Sequence, residues 1–157
     1  MKKDFLNIYN NLIKLTRNKI LYENTSNNES FSDRLTIFFF HFAFFLKIFK
    51  NQTPKDKLQN LYDFVFKQIE LSIREIGYGD ASINKKMKVY VNLMHAIISK
   101  VELWENLDIS SKSKFFSEFI EVDKESSFFV TYFDKYSSYL LKNSFNYFTK
   151  EVISLKF

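Results

Sequence analysis

Apolar residues recur along most of this chain at steps of three and four, the period of helices buried on one side. The clearest case follows Thr53 and Pro54. Leu58, Leu61, Tyr62, Val65, Ile69, Ile73 and Ile76 make one stripe, with Asp63, Lys67, Glu70 and Arg74 opposite. Proline is tolerated in a first helical turn, and Gly77 supplies a left-handed stop. A second stripe, Ile83, Met87, Tyr90, Met94, Ile97, Ile98, Val101 and Trp104, predicts a helix from Ile83 to Asn106 begun by Ser82 or Asp80. Its polar side holds Lys85, Lys88, Asn92, His95, Ser99 and Glu102. Upstream, a helix is predicted over 4–23, then the polar link "NTSNNESFS", then a helix capped by Ser32 and running to Lys50. Downstream come a polar linker, "LDISSKSK", a short helix over 115–122 and a longer one over 126–154. In that last segment "SSFFVTYF" also has the look of a strand. The sum is an all-α, single-domain bundle of five to six helices over residues 1–157. Residues 1–30 form a basic N-terminal helix and polar link, and 31–157 the main bundle.

The segment "DRLTIFFFHFAFFLKIFK", Asp33 to Lys50, departs from a simple stripe. Its uncharged run spans only Leu35 to Leu46, short of the ~20 residues that cross a bilayer. Turned at about 100° per residue, it places Thr36, Ala43, Lys47 and Lys50 on one wet strip with Asp33 at its edge. Leu35, Phe38, Phe39, Phe42, Phe45, Leu46 and Phe49 face the core. Phe40 and Phe44 fall beside the wet strip. Either a neighbouring helix covers them or they form part of a partner surface. His41 and Arg34 share the flank, and the simpler reading of His41 is a hydrogen-bonded core or border residue.

Composition agrees with a helical globular domain. There are two glycines and one proline, too few for the many turns of an all-β fold, and no cysteine, which excludes disulfides, thiolate metal sites and a cysteine nucleophile. The net charge of +5 is uneven: residues 1–57 carry ten Lys/Arg against five Asp/Glu, and the remainder is balanced. A basic N-terminal end suits weak attraction to anionic lipid or ribosomal RNA, and we assign no DNA binding. Asn7, Asn10 and Asn11 interrupt the apolar run that a signal peptide would need, so a cytoplasmic protein is expected.

Candidate chemistry is sparse. Two histidines offer little for a metal, neither HExxH nor G-x-S-x-G occurs, and His95 lies on a wet helix face, so no metal, cofactor or catalytic residue is assigned. "GYGDASINKKMK" is neither a P-loop nor a dinucleotide fingerprint, and it follows a helix where those motifs follow a strand. It reads as a tight turn built on Gly77, Gly79 and a Ser82 or Asp80 cap. The turn alone does not account for Tyr78 at its tip or for Lys85, Lys86 and Lys88 behind it.

Two segments, "DRLTIFFFHFAFFLKIFK" and "LYDFVFKQIELSIREIGYGDASINKKMK", resemble the ubiquinol-cytochrome c chaperone family in order and motif. A hydrophobic helix carries His-x-Ala, the next ends in Arg-Glu-x-Gly, and Gly-Asp and Lys-x-Met-Lys follow. The resemblance runs over about 33–105 and returns at "YLLKNSFNYF". It implies an all-helical, non-catalytic assembly chaperone for respiratory complex III that binds newly made cytochrome b. By similarity it would act on the cytoplasmic side, peripheral to the inner membrane, near the ribosomal exit tunnel and with a small co-chaperone. The family has no catalytic residues to carry over, and this chain is richer in phenylalanine and lysine than its relatives. Phe40, Phe44, Tyr78, Asp80, Lys85, Lys86 and Lys88 are the expected partner-binding residues. The alternatives are a helical carrier of a lipid or quinone-like ligand, which requires a closed apolar cavity, and a peripheral protein whose N-terminal helix lies on anionic lipid.

Overall fold

A computed structural model describes residues 1–23, 25, 30–122 and 127–157. Among these, seven α-helices follow in the order α1 Lys2–Thr16, α2 Lys19–Tyr22, α3 Phe31–Phe49, α4 Lys55–Ile76, α5 Asp80–Val101, α6 Ile109–Phe119 and α7 Ser127–Leu141. Short 3-10 helices, Trp104–Asn106 and Phe145–Thr149, separate α5 from α6 and follow α7. An isolated antiparallel bridge pairs Thr25 with Val122. No described helix is long and apolar enough to cross a membrane.

The organising element is α3. Every residue from Leu35 to Phe45 is buried, Thr36, His41 and Ala43 among them. A helix apolar on every side is stable in water only at the centre of a bundle, and α1, α5 and α7 pack around this one. The expected wet strip therefore does not exist over most of its length. Only its ends meet solvent: Asp33 is half-buried in the first turn, and in the last turn Lys50 pairs with Glu102 at 2.5 Å and Lys47 with Glu105. Ser30, not Ser32, caps α3: its hydroxyl accepts from the Asp33 N–H at 3.1 Å.

The N-terminal helix is part of the same core, with Phe5, Ile8, Leu12 and Leu15 buried. The asparagines that interrupt its apolar run have a structural task. Asn11 is buried and donates to the carbonyls of Phe148 (3.1 Å) and Lys150 (3.0 Å), and Asn7 donates to that of Thr149 (2.9 Å). They tie the C-terminal segment across α1 by satisfying carbonyls that a 3-10 turn leaves open. The expected helix over 4–23 is in fact two. The Asn18 side chain accepts from Ile20 N–H and starts α2, while the Tyr22 hydroxyl takes the Thr16 carbonyl at 2.6 Å. Local capping of this kind competes with helix continuation.

Other boundaries shift for similar reasons. Residues 107–114, read as a linker, contain the start of α6: Asp108 caps it through Ser111 N–H at 2.7 Å, which holds the Asp108 carboxyl below the usual carboxylate range. The helix expected to reach Asn106 ends at Val101, and the following turn brings Trp104 into the core, where its indole N–H donates to Asp134 at 2.9 Å. "SSFFVTYF" is helical from Ser127, while Ser126 and most of "NTSNNESFS" lie outside the described residues. The last helix stops at Leu141, well short of 154. Asn143 donates to the Tyr139 carbonyl at 2.8 Å and Ser144 caps the next turn, two side-chain bonds that replace helical ones.

Candidate functional site

The sequence-predicted surface residues separate into two groups. Phe40 and Phe44 are fully buried, a correction to their expected place beside a wet strip. The physical reason is that α6, α7 and Trp104 close over that side of α3. Phe40 meets Phe116 edge-to-face at 5.3 Å and Phe133 at 5.8 Å; Phe44 stacks on Phe133 at 5.3 Å and meets Trp104 edge-on at 5.1 Å. These rings are core, and edge-to-face pairs stabilise it beyond their area.

His41 belongs to the same core. Its Nδ1 lies 2.8 Å from the Ile37 carbonyl, which can only accept, so Nδ1 carries the proton and Nε2 accepts from the Tyr132 hydroxyl at 2.7 Å. Tyr136 in turn donates to the His41 carbonyl at 3.0 Å. Burial lowers the His41 pKa to about 4, against a smaller opposing effect of the Ile37 carbonyl, and pushes the Tyr136 phenol well up. The imidazole is a neutral clasp between α3 and α7, with both nitrogens occupied.

The second group gathers at the α4–α5 turn. Gly77 closes α4 with φ 107° and donates to the Arg74 carbonyl at 3.0 Å. A Cβ there would touch nothing within 4 Å, so glycine is required by the left-handed backbone alone. Gly79 needs no such freedom: its φ of −76° and ψ of 164° are extended, and any residue adopts them. Nor is there a side-chain cap. Asp80 is the first residue of α5, Ser82 lies within its first turn, and Gly79 occupies the N-cap position, which corrects the expected Ser82 or Asp80 cap.

Asp80 instead joins the two helices. It accepts from Arg74 at 2.5 Å, and Arg74 and Lys67 both reach Glu70 at 3.2 Å. Hydrogen bonds from Lys67 and then Arg74 hold the Glu70 carboxyl below its ordinary range, and donation to Asp80 and then Glu70 pushes the Arg74 guanidinium up. At such exposure the chain of charges orients the turn more than it stabilises it. The role of Arg74 was not foreseen, although its four-residue spacing from Glu70 was visible.

Beyond this clasp Tyr78 projects at the tip, 43% exposed, with the Lys86 ammonium 4.4 Å from its ring centre. Lys85 and Lys88 are exposed and form no ion pair among the described residues. Ile76, expected in the core stripe, is 55% exposed beside Tyr78 in the chain. It lies one step past the last position that the core reaches, and sequence periodicity carries no mark of where a core ends. The turn therefore presents Ile76 and Tyr78, with Lys86 over the Tyr78 ring and the Asp80 carboxylate exposed at the start of α5. Among the described residues no group of three or more His, Asp or Glu side chains could hold a metal.

The family model described as Ubiquinol-cytochrome C chaperone matches residues 23–104. That segment contains α3, α4 and α5 and the whole of the turn. No curated protein and no solved structure matches the chain.

Proposed function

The chain belongs to the ubiquinol-cytochrome c chaperone family, and from that premise we propose that it is a non-catalytic assembly chaperone of complex III that binds newly made cytochrome b. The observation that carries this reading is the position of the α4–α5 turn inside the family match, with Ile76 and Tyr78 exposed, Lys86 over the Tyr78 ring, and Lys85 and Lys88 exposed in the first turns of α5. An exposed apolar tip with cations behind it suits a hydrophobic client with anionic flanks. Asp80 serves on this surface through Arg74, holding the turn that presents Tyr78. The same reading places the protein on the cytoplasmic side, peripheral to the inner membrane, near the ribosomal exit tunnel and with a small co-chaperone.

The test is a triple variant, Tyr78→Ala with Lys85→Gln and Lys86→Gln, expressed in place of the native protein. Its thermal unfolding should match the native chain while cytochrome b and assembled complex III fall. Normal cytochrome b in cells holding that stable variant refutes the surface assignment. A carrier of a lipid or quinone-like ligand would need an enclosed cavity. The apolar groove between α1, α3 and α4, about 370 Å³, is half open to solvent and does not enclose a ligand whole.

A further inference from the structure

The half-open cavity has a character of its own. Its floor is apolar, formed by Ile13 of α1, Leu35 and Phe38 of α3 and Ile69 of α4. Its rim carries Arg17 at the end of α1, Lys19 at the start of α2 and Arg34 in the first turn of α3. All three cations are exposed, and none forms an ion pair with a described residue. Three separate elements thus bring to one apolar groove cations that pair with no described residue. Arg17 also acts on the half-buried phenol of Tyr9, which lines the groove beside Ser72, and does so more strongly than Glu75 does.

Size and charge together select the occupant. A volume of about 370 Å³ is at the lower end of small-ligand sites. It is too small for a helix of 10–12 Å diameter. A neutral chain would fill the floor and leave the cations unanswered; a free anion would answer them and leave the floor wet. We propose that this groove binds a single-chain anionic amphiphile, with its acyl chain over Ile13, Leu35, Phe38 and Ile69 and its carboxylate or phosphate head held by Arg17, Lys19 and Arg34. Because the groove opens at the rim, the head remains in water while the chain is buried, the arrangement by which a protein takes one acyl chain from a lipid surface. This inference is independent of the α4–α5 surface and stands or falls apart from it.

The experiment is a calorimetric titration of the full chain with monomeric oleate, oleyl alcohol and inorganic phosphate, and sedimentation with vesicles of phosphatidylglycerol or phosphatidylcholine. The expected result is one oleate per chain, at least tenfold weaker binding of oleyl alcohol, and no displacement of oleate by millimolar phosphate. The double variant Arg17→Gln/Arg34→Gln changes only exposed side chains and should bind oleate at least tenfold more weakly with unchanged thermal unfolding. Ser72→Trp, which narrows the groove from α4 and keeps every cation, should weaken it as much. Binding of phosphatidylglycerol vesicles as well as oleate would assign the head to a phospholipid, and oleate alone to a free fatty acid; both support the site. Equal affinity for oleate and oleyl alcohol, displacement by phosphate, undiminished binding in the double variant, or vesicle binding without oleate binding would overturn it.

Discussion

Acidification from pH 7.5 to pH 5 should cost this fold about 2 kcal/mol through one side chain, His41. The imidazole is fully buried between α3 and α7, its Nδ1–H on the Ile37 carbonyl and its Nε2 on the Tyr132 hydroxyl, and its pKa in the fold is about 4 against an ordinary 6.5. The unfolded chain takes up a proton as pH falls through 6.5, whereas the folded chain does so only near 4. Stability from the neutral imidazole is therefore present above pH 6.5 and is lost progressively between 6.5 and 4. The full difference, from 6.5 to about 4, corresponds to about 3 kcal/mol, and the portion reached at pH 5 is about 2 kcal/mol. The groups that face the ring from α7, Tyr132 and Tyr136, are phenols pushed upward by burial and do not titrate in this window. Urea unfolding followed by the fluorescence of Trp104, at intervals from pH 5 to 7.5, measures the slope directly. His41→Gln should lower stability at every pH, since it disturbs two buried hydrogen bonds, and should flatten the curve. A His41→Gln protein that keeps the native pH dependence would refute this account.

Three further perturbations separate core from surface. Phe40→Ala should destabilise by about 3–5 kcal/mol in urea unfolding, as a buried ring does, and a loss below about 1 kcal/mol would mean that solvent already reaches that side of α3. Gly77→Ala should cost about 1 kcal/mol through its left-handed backbone, whereas Gly79→Ser, on extended backbone at the N-cap of α5, should be neutral or gain a few tenths of a kcal/mol; chemical denaturation of the pair distinguishes the two glycines. Asn11→Ala leaves the Phe148 and Lys150 carbonyls without their donor and should cost about 2 kcal/mol. Hydrogen exchange in the C-terminal segment should accelerate in that variant, and unchanged protection there would show that Asn11 does not hold it.

The N-terminal helix combines surface charge with core packing. Lys2, Lys3 and Lys14 are exposed on α1 and can meet anionic lipid, but Phe5, Ile8, Leu12 and Leu15 on the same helix belong to the core. Deleting residues 1–24 would remove core packing along with charge. Lys→Gln substitutions at the three exposed positions test lipid attraction without that loss.

Local pattern along the chain was enough to show the helical class and several of the helix boundaries. The stripe from Leu58 to Ile73 and the opposing charges marked α4, because a helix with one face in water must repeat its apolar residues every three or four positions. Pro54 and Gly77 bounded it through backbone restrictions that act residue by residue. The motif order and the α4–α5 turn were legible for the same reason: they are local. His41 as a hydrogen-bonded core residue was also legible, since a lone histidine in an apolar helix must find partners.

Which side of α3 meets water is set by packing, and from Leu35 to Phe45 no side does. Periodicity can rank the faces of a helix but cannot show how many neighbours it has. Phe40 and Phe44 are buried because α6, α7 and Trp104 arrive from 60 residues away or more, and Thr36 and Ala43 on the same helix are buried as well. The groove ringed by Arg17, Lys19 and Arg34 exists only because α1, α2, α3 and α4 converge there. Each of these features depends on which parts of the chain lie side by side, a property that separation along the sequence does not carry and packing around the central helix does.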